Sequence, residues 1–367
     1  MRCADCESID GLFSDTSVLW FGMPSGESHR RMRELCEVQG LRTTPAGNRG
    51  LRVAVGRDHA DRFVTALFGE LKGPELVGTR VVVTDGDAPG PADLDRVMSG
   101  EVLVNRFKAG WIVDAIEGGR YTTWFQPIVA ASDPDPARPF AREGLFRMSD
   151  RDGTLIPPAH VFAVAQDAGL LFSLDLVARR SAVEAAARAR VRSKVFVNFN
   201  PSSVYDPAYC LRTTAAAIAD LGMRPSDVVF ELTETHRAND KAHLNGILAF
   251  YRQAGFGVAL DDVGAGWSGL TLLHELRPDY VKIDMDLIRD VQDDPFKQTI
   301  VHHLLSIARE HGIRTIAEGI ETEAEARWLR GEGVDYLQGY LYGRPAPLDA
   351  AAAVEAANHD RSGPLSA

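Results

Sequence analysis

Asn198, Glu231, Glu234, Asp261, Asp262, Lys282, Asp284, Glu318, Glu321 and Gln338 stand at or just beyond the ends of successive short β-branched runs. Carboxylates brought together this way repel one another unless cations lie between them. One amide among several carboxylates suits hard divalent ions, Mg²⁺ or Mn²⁺, better than zinc, which recruits His and Cys. Adjacent aspartates such as Asp261 and Asp262 can bridge two metals, and a pair of metals ~3.5–4 Å apart serves in-line displacement at phosphorus. Lys282 and Glu318 would orient and deprotonate the attacking water. Each piece alone has a plainer reading: Glu231 and Glu234 as a solvated helix face or cap, the turn after Asp262 as a turn only, Lys282 as a surface side chain. Their joint occurrence at successive strand ends favours hydrolysis of a phosphodiester.

Such a set needs a scaffold that gathers strand ends. Eight strands are predicted from Thr122, Arg142, Val195, Val228, Phe256, Tyr280, Ile313 and Val334. Helices are predicted over Leu174–Ala189, Cys210–Leu221, Ala242–Gln253, Phe296–Glu310 and Glu323–Gly331. Strand alternating with helix over about 250 residues fits a (β/α)8 TIM-like barrel, whose C-terminal strand ends share one mouth. Between Val129 and Arg142 the chain is short and proline-rich, so the first strand should run antiparallel to the second. Glu143 falls near the start of its predicted strand, where a mouth residue is not expected.

Residues 1–103 read as a small α/β module of possible regulatory role, 104–121 as a connecting helix, 122–352 as the barrel and 353–367 as a frayed tail. The chain has 367 residues and a net charge of -11, which argues against a binder of polymeric nucleic acid. No run of about 18 apolar residues occurs and the N-terminus lacks a secretory apolar core, so a cytoplasmic protein with no membrane contact is expected. Cys3 and Cys6 form a CxxC that His29 and Cys36 could complete as a zinc site, although two reduced thiols are the plainer reading.

The segment from Trp124 to Pro347 resembles an EAL domain, the cyclic di-GMP phosphodiesterase family. FQPIV, REGLFR, VNFNPSSV, ELTET, LDDVGAGWSGL, VKID, AEGIET and LQGYLYGRP follow its signatures in order. The resemblance implies hydrolysis of cyclic di-GMP to linear pGpG with two Mg²⁺ or Mn²⁺ ions. It implies that Glu143, Asn198, Glu231 and Asp261 hold one metal, and that Asp261, Asp262 and Glu318 hold the other. Lys282 and Glu318 would manage the water, with Glu234 and Glu321 bracing the loop after Asp262. Gln338 would face the nucleotide, Arg147 a substrate phosphate, and Gln126 would line the pocket. A homodimer through the barrel is expected by the same analogy.

Gly144 replaces the middle alanine of the name motif, for which a modest loss at most is expected. Val263, Trp267 and Gly269 replace the usual Phe, Tyr and Ser of the loop, which bears on dimer coupling more than on chemistry. The alternative reading is a silent cyclic di-GMP receptor, but such relatives generally lose ligands that are all present here. No cyclase signature of the Gly-Gly-Asp/Glu-Glu-Phe type occurs.

Overall fold

The computed structural model describes residues 14–85, 88–94, 96–201, 215–216, 218–233, 241–265 and 269–348. Cys3, Cys6, Cys210, Glu234, Trp267, the 353–367 tail and most of the helix expected over Cys210–Leu221 lie outside the described residues. The chain divides into two compact units. Within the described residues, one takes in the chain up to Arg120 together with Met148–Leu174; the other takes in Tyr121–Arg147 and the chain from Asp175 onward.

The first unit runs β1 (Val18–Gly22), α1 (Gly26–Val38), β2 (Thr43–Pro45), β3 (Gly50–Ala54), α2 (Arg57–Glu70), α3 (Gly73–Gly78), β4 (Arg80–Thr84), β5 (Met98–Ser99), α4 (Gly100–Lys108) and α5 (Gly110–Glu117). Its sheet has the order β2-β3-β1-β4-β5, antiparallel throughout. The β-α-β-β-α-β succession is that of a split βαβ sheet. Alternation along β1 and β4 sends Leu19, Phe21, Val81 and Val83 into one core with Met32, Cys36, Phe63 and Leu67 from the helices.

Two sequence expectations change here. The strongly polar α1 was not foreseen, because only Ser28, Met32 and Cys36, four residues apart, mark its buried face. Its start is set by Ser25, whose hydroxyl accepts the Ser28 N–H at 3.0 Å. The helix expected over 104–121 is two, α4 and α5, meeting at Ala109. Cys36 is fully buried in the core and burial pushes its thiol up to about 12. Cys3 and Cys6, the pair that His29 and Cys36 could complete as a zinc site, lie outside the described residues.

The chain continues through β6 (Tyr121–Ala130), β7 (Ala141–Ser149), β8 (Leu155–Ile156), α6 (Pro158–Asp167), α7 (Leu171–Arg188), β9 (Lys194–Asn198), β10 (Val228–Thr233), α8 (Lys241–Gln253), β11 (Gly257–Val263), α9 (Gly269–Leu276), β12 (Tyr280–Ile283), α10 (Met285–Ile288), α11 (Pro295–Glu310), β13 (Arg314–Ala317), α12 (Glu323–Glu332) and β14 (Tyr336–Gln338). β8 pairs with the end of β7, and β8 and α6 fall in the first unit.

Eight strands of the second unit follow the order β6-β14-β13-β12-β11-β10-β9-β7, and a β6–β7 pairing closes the ring. β6 runs antiparallel to β14, whereas β7, β9, β10, β11, β12, β13 and β14 run parallel. The reversed first strand and the barrel are as the sequence led us to expect. Outward-facing Val129, Ile283, Ala317 and Leu337 pack against Val301 and Leu305 of α11 and Leu329 of α12. Inward-facing Ile128, Ala141, Phe196, Val229, Ala259, Tyr280 and Ile316 fill the barrel floor, with Tyr336 against them.

Candidate metal centre in the barrel mouth

Side chains on one face of a strand recur every second residue. Two positions on from each floor residue of the seven parallel strands come Glu143, Asn198, Glu231, Asp261, Lys282, Glu318 and Gln338; on reversed β6 the step from Ile128 runs backward to Gln126. The polar residues are therefore the next layer of the same barrel. This resolves the position of Glu143: it lies two residues beyond Ala141, the first residue of β7, and β7 simply continues further.

Lys282 is at the centre. Its side chain is 1% exposed, and its Nζ lies 2.7 Å from Glu318, 3.0 Å from Glu231, 3.1 Å from Asp261 and 3.4 Å from Glu143. Burial alone would lower the ammonium pKa, but the charges of Asp261, Glu143, Glu231 and Glu318 outweigh it and hold the pKa well above the usual value. One cation therefore faces four carboxylates.

Burial first, and like charge second, raises Glu318 well above the carboxylate range; burial also raises Glu231, opposed by Lys282. Glu143 is driven the other way. Burial pushes its pKa up, but Lys282, Gln338 and Asn198 together bring it below the ordinary value. The Asn198 Nδ2 donates to Glu143 Oε1 at 3.0 Å, and Gln338 Nε2 donates to Glu143 Oε2 at 2.6 Å. Gln338 also reaches Gln126 Oε1 at 3.3 Å, and Gln126 Nε2 donates to the Gly343 carbonyl. Both glutamines are buried and orient Glu143. Gly339 keeps Gln338 in register: a Cβ there would fall 2.0 Å from the Ile320 carbonyl.

Asp262 departs from the strand. A register shift in β11 between Leu260 and Val263 turns it into the left-handed region, φ 55°, with its N–H on Asp261 Oδ1 at 2.9 Å. Such a backbone costs ~1–3 kcal/mol and persists where surroundings enforce it, commonly at functional sites. Burial and the neighbouring Asp261 push its carboxyl up to about 6.

These residues suit divalent cations. Among the described residues, both oxygens of fully buried Glu231 lack a hydrogen-bond donor of good geometry, and the Lys282 ammonium lies 3.0 Å from Oε1. Oxygens of Glu143, Glu231 and Asp261 gather within 4.8 Å of one another, as do those of Asp261, Asp262 and Glu318, so Asp261 is common to two potential cation sites.

Other expected residues lie differently. Glu321, expected to brace the loop after Asp262, is exposed and pairs with Arg289 at 2.8 Å. Arg147 is four residues beyond Glu143 on the same face of β7; its Nη1 donates to the Phe146 carbonyl and its guanidinium lies 5.3 Å from the Trp124 ring centroid. Sequence reasoning passed over Trp124 as a site residue. The available signal was its position two residues before Gln126, on the mouth side of the same strand face. Asp284, at the end of β12, is a cap, accepting the Asp286 N–H at 2.8 Å.

An eight-stranded α/β barrel with one reversed strand and a layer of carboxylates around a buried lysine defines the class. Residues 109–345 match the EAL domain, and the chain belongs to that family. It is 30% identical over 239 residues to the probable cyclic di-GMP phosphodiesterase PdeB of Escherichia coli K12, covering 64% of this chain and 45% of PdeB. It is 28% identical to the cyclic di-GMP phosphodiesterase RocR of Pseudomonas aeruginosa, covering 64% of this chain and 60% of RocR. The chain thus spans about half the length of these curated relatives. Among solved structures, a standalone EAL protein from Vibrio cholerae O395 with c-di-GMP bound is 33% identical, with a TM-score of 0.55, over 62% of this chain and 92% of that one. No helix among the described residues is long and apolar enough to cross a membrane.

Proposed function

We propose that the barrel hydrolyses cyclic di-GMP to linear pGpG with two divalent ions, Mg²⁺ or Mn²⁺. The observation that carries this reading is a pair of carboxylate triads that share Asp261, one of them containing buried Glu231, whose oxygens meet no hydrogen-bond donor of good geometry among the described residues. Glu143, Asn198, Glu231 and Asp261 would hold one ion, and Asp261, Asp262 and Glu318 the other. The ions would supply charge neutralisation at the phosphate and a more acidic water.

The chain's own residues then have separable tasks. Lys282 Nζ, held by four carboxylates, positions the water beside Glu318, whose carboxylate, 2.7 Å from that ammonium, accepts the water's proton. The water oxygen bonds to phosphorus, the P–O3′ bond breaks, and the 3′-oxygen leaves with a proton from solvent. Gln126 and Gln338 keep Glu143 oriented beside the nucleotide, and Arg147 binds a substrate phosphate. Glu234 and Glu321 brace the loop after Asp262, the split βαβ unit modulates turnover, and the protein works in the cytoplasm as a homodimer through the barrel.

Incubating the purified chain with cyclic di-GMP and Mg²⁺ or Mn²⁺ while following pGpG tests the reading. Metal-dependent turnover abolished by EDTA is expected. Tight binding without turnover would instead identify a receptor.

A further inference from the structure

We infer that Trp124, held against Arg147 at the mouth, is a stacking platform for one purine of the nucleotide ligand, and so a determinant of affinity for purine dinucleotides. The inference deepens the proposed function and rests on it.

Trp124 stands one layer above Gln126 on β6, which runs antiparallel to the other strands, so the backward step from Gln126 leads toward the mouth. Arg147 lies on the mouth side of Glu143 along β7. Glu143 and Gln126 are joined through Gln338, which bonds to both, so Trp124 and Arg147 rise from the two strands that carry this hydrogen-bonded chain. The indole is only partly buried, although Phe125 and Gln126 beside it are buried. A large ring left open beside a layer of metal-suited carboxylates is placed to meet the organic part of a phosphodiester.

The guanidinium 5.3 Å from the ring centroid restrains the indole. An arginine–tryptophan pair of this kind contributes ~0.5–2 kcal/mol. Arg147 has five donors, and one, at Nη1, meets the Phe146 carbonyl. Remaining donors can serve a phosphate or the O6 and N7 acceptors of a guanine edge while the base lies on the indole. Stacking of a base on an aromatic ring is worth ~1–3 kcal/mol and grows with the size of the base, which favours purines over pyrimidines.

The test measures KM for cyclic di-GMP in the full chain, wild type against Trp124→Ala and Trp124→Phe, alongside Mn²⁺ affinity by calorimetry. Trp124→Ala should raise KM at least tenfold, Trp124→Phe should recover most of the loss, and Mn²⁺ affinity should stay within twofold in all three. Cyclic di-UMP should bind the wild type more weakly than cyclic di-GMP and lose less on Trp124→Ala. An unchanged KM in Trp124→Ala, or a parallel loss of Mn²⁺ affinity, overturns the platform and leaves the phosphodiesterase reading standing. Failure of the wild type to bind cyclic di-GMP at all overturns both.

Discussion

Gly144 faces Ala182 so closely that a Cβ on Gly144 would lie 3.0 Å from the Ala182 Cβ, and 3.3 Å from Thr123 Cγ2. The glycine in the name motif is therefore a packing match between β7 and α7. Neighbouring side chains have taken the space of the missing methyl.

Restoring the family residue should accordingly destabilise the protein. Gly144→Ala overpacks the contact at a cost of ~1–3 kcal/mol, seen as a lower urea midpoint with an unchanged slope. The double variant Gly144→Ala with Ala182→Gly should recover part of the loss, since the two residues touch. Additive losses in the double variant would refute the packing account.

Lys282→Met removes the ammonium that lies within 3.4 Å of four carboxylates. Breaking a buried ionic arrangement on one side costs ~3–5 kcal/mol, so the metal-free protein should show a markedly lower Tm. Millimolar Mn²⁺ should restore more Tm to this variant than to the wild type, while turnover stays lost. Thermal melts with and without Mn²⁺ measure both effects.

The two carboxylate triads predict different metal stoichiometries. Glu318→Ala spares Glu143, Glu231 and Asp261, so one ion should still bind while turnover falls by several orders of magnitude. Glu143→Ala should cost as much in rate and also release Asn198 and Gln338, which bond to it. Equilibrium dialysis with Mn²⁺ separates the cases: near-wild-type stoichiometry in both would contradict the shared role of Asp261.

Asp262 gives a pH dependence whose sign is opposite to that of a paired carboxylate. Its folded pKa, about 6, lies above the ordinary value of 3.8, so between those values the folded state holds more protons than the unfolded state. Stability therefore falls as pH rises through that window. Asp262→Asn, which tolerates the same left-handed backbone, should exceed the metal-free wild type by about 1 kcal/mol at pH 7 after allowance for solvent screening, with the gap closing below pH 4. Metal must displace this proton, so wild-type Mn²⁺ affinity should climb between pH 5 and pH 7. Chemical denaturation and Mn²⁺ titration across that range check both.

Much of the barrel was legible because its signals are local. Strands such as β9 and β12 are short β-branched or aromatic runs with a polar residue, Asn198 or Lys282, at or next to the end, and helices such as Pro295–Glu310 carry their own caps and apolar stripe. Helix α1 was missed because its buried face is narrow and its remaining surface highly polar. The break at Ala109 was missed because the apolar spacing runs through it.

By itself the sequence determined the residue types that suit a hard-metal phosphodiester site, their order along the chain and the alternation that raises strands. Only the tertiary structure decided which of them meet. Closing the ring brings Gln338 to Glu143 across 195 positions of sequence, leaves Glu321 with Arg289, and seats Arg147 against Trp124. Those outcomes depend on the stagger between strands and on side-chain volume at contacts such as Gly144 with Ala182, and neither is a property of any one segment.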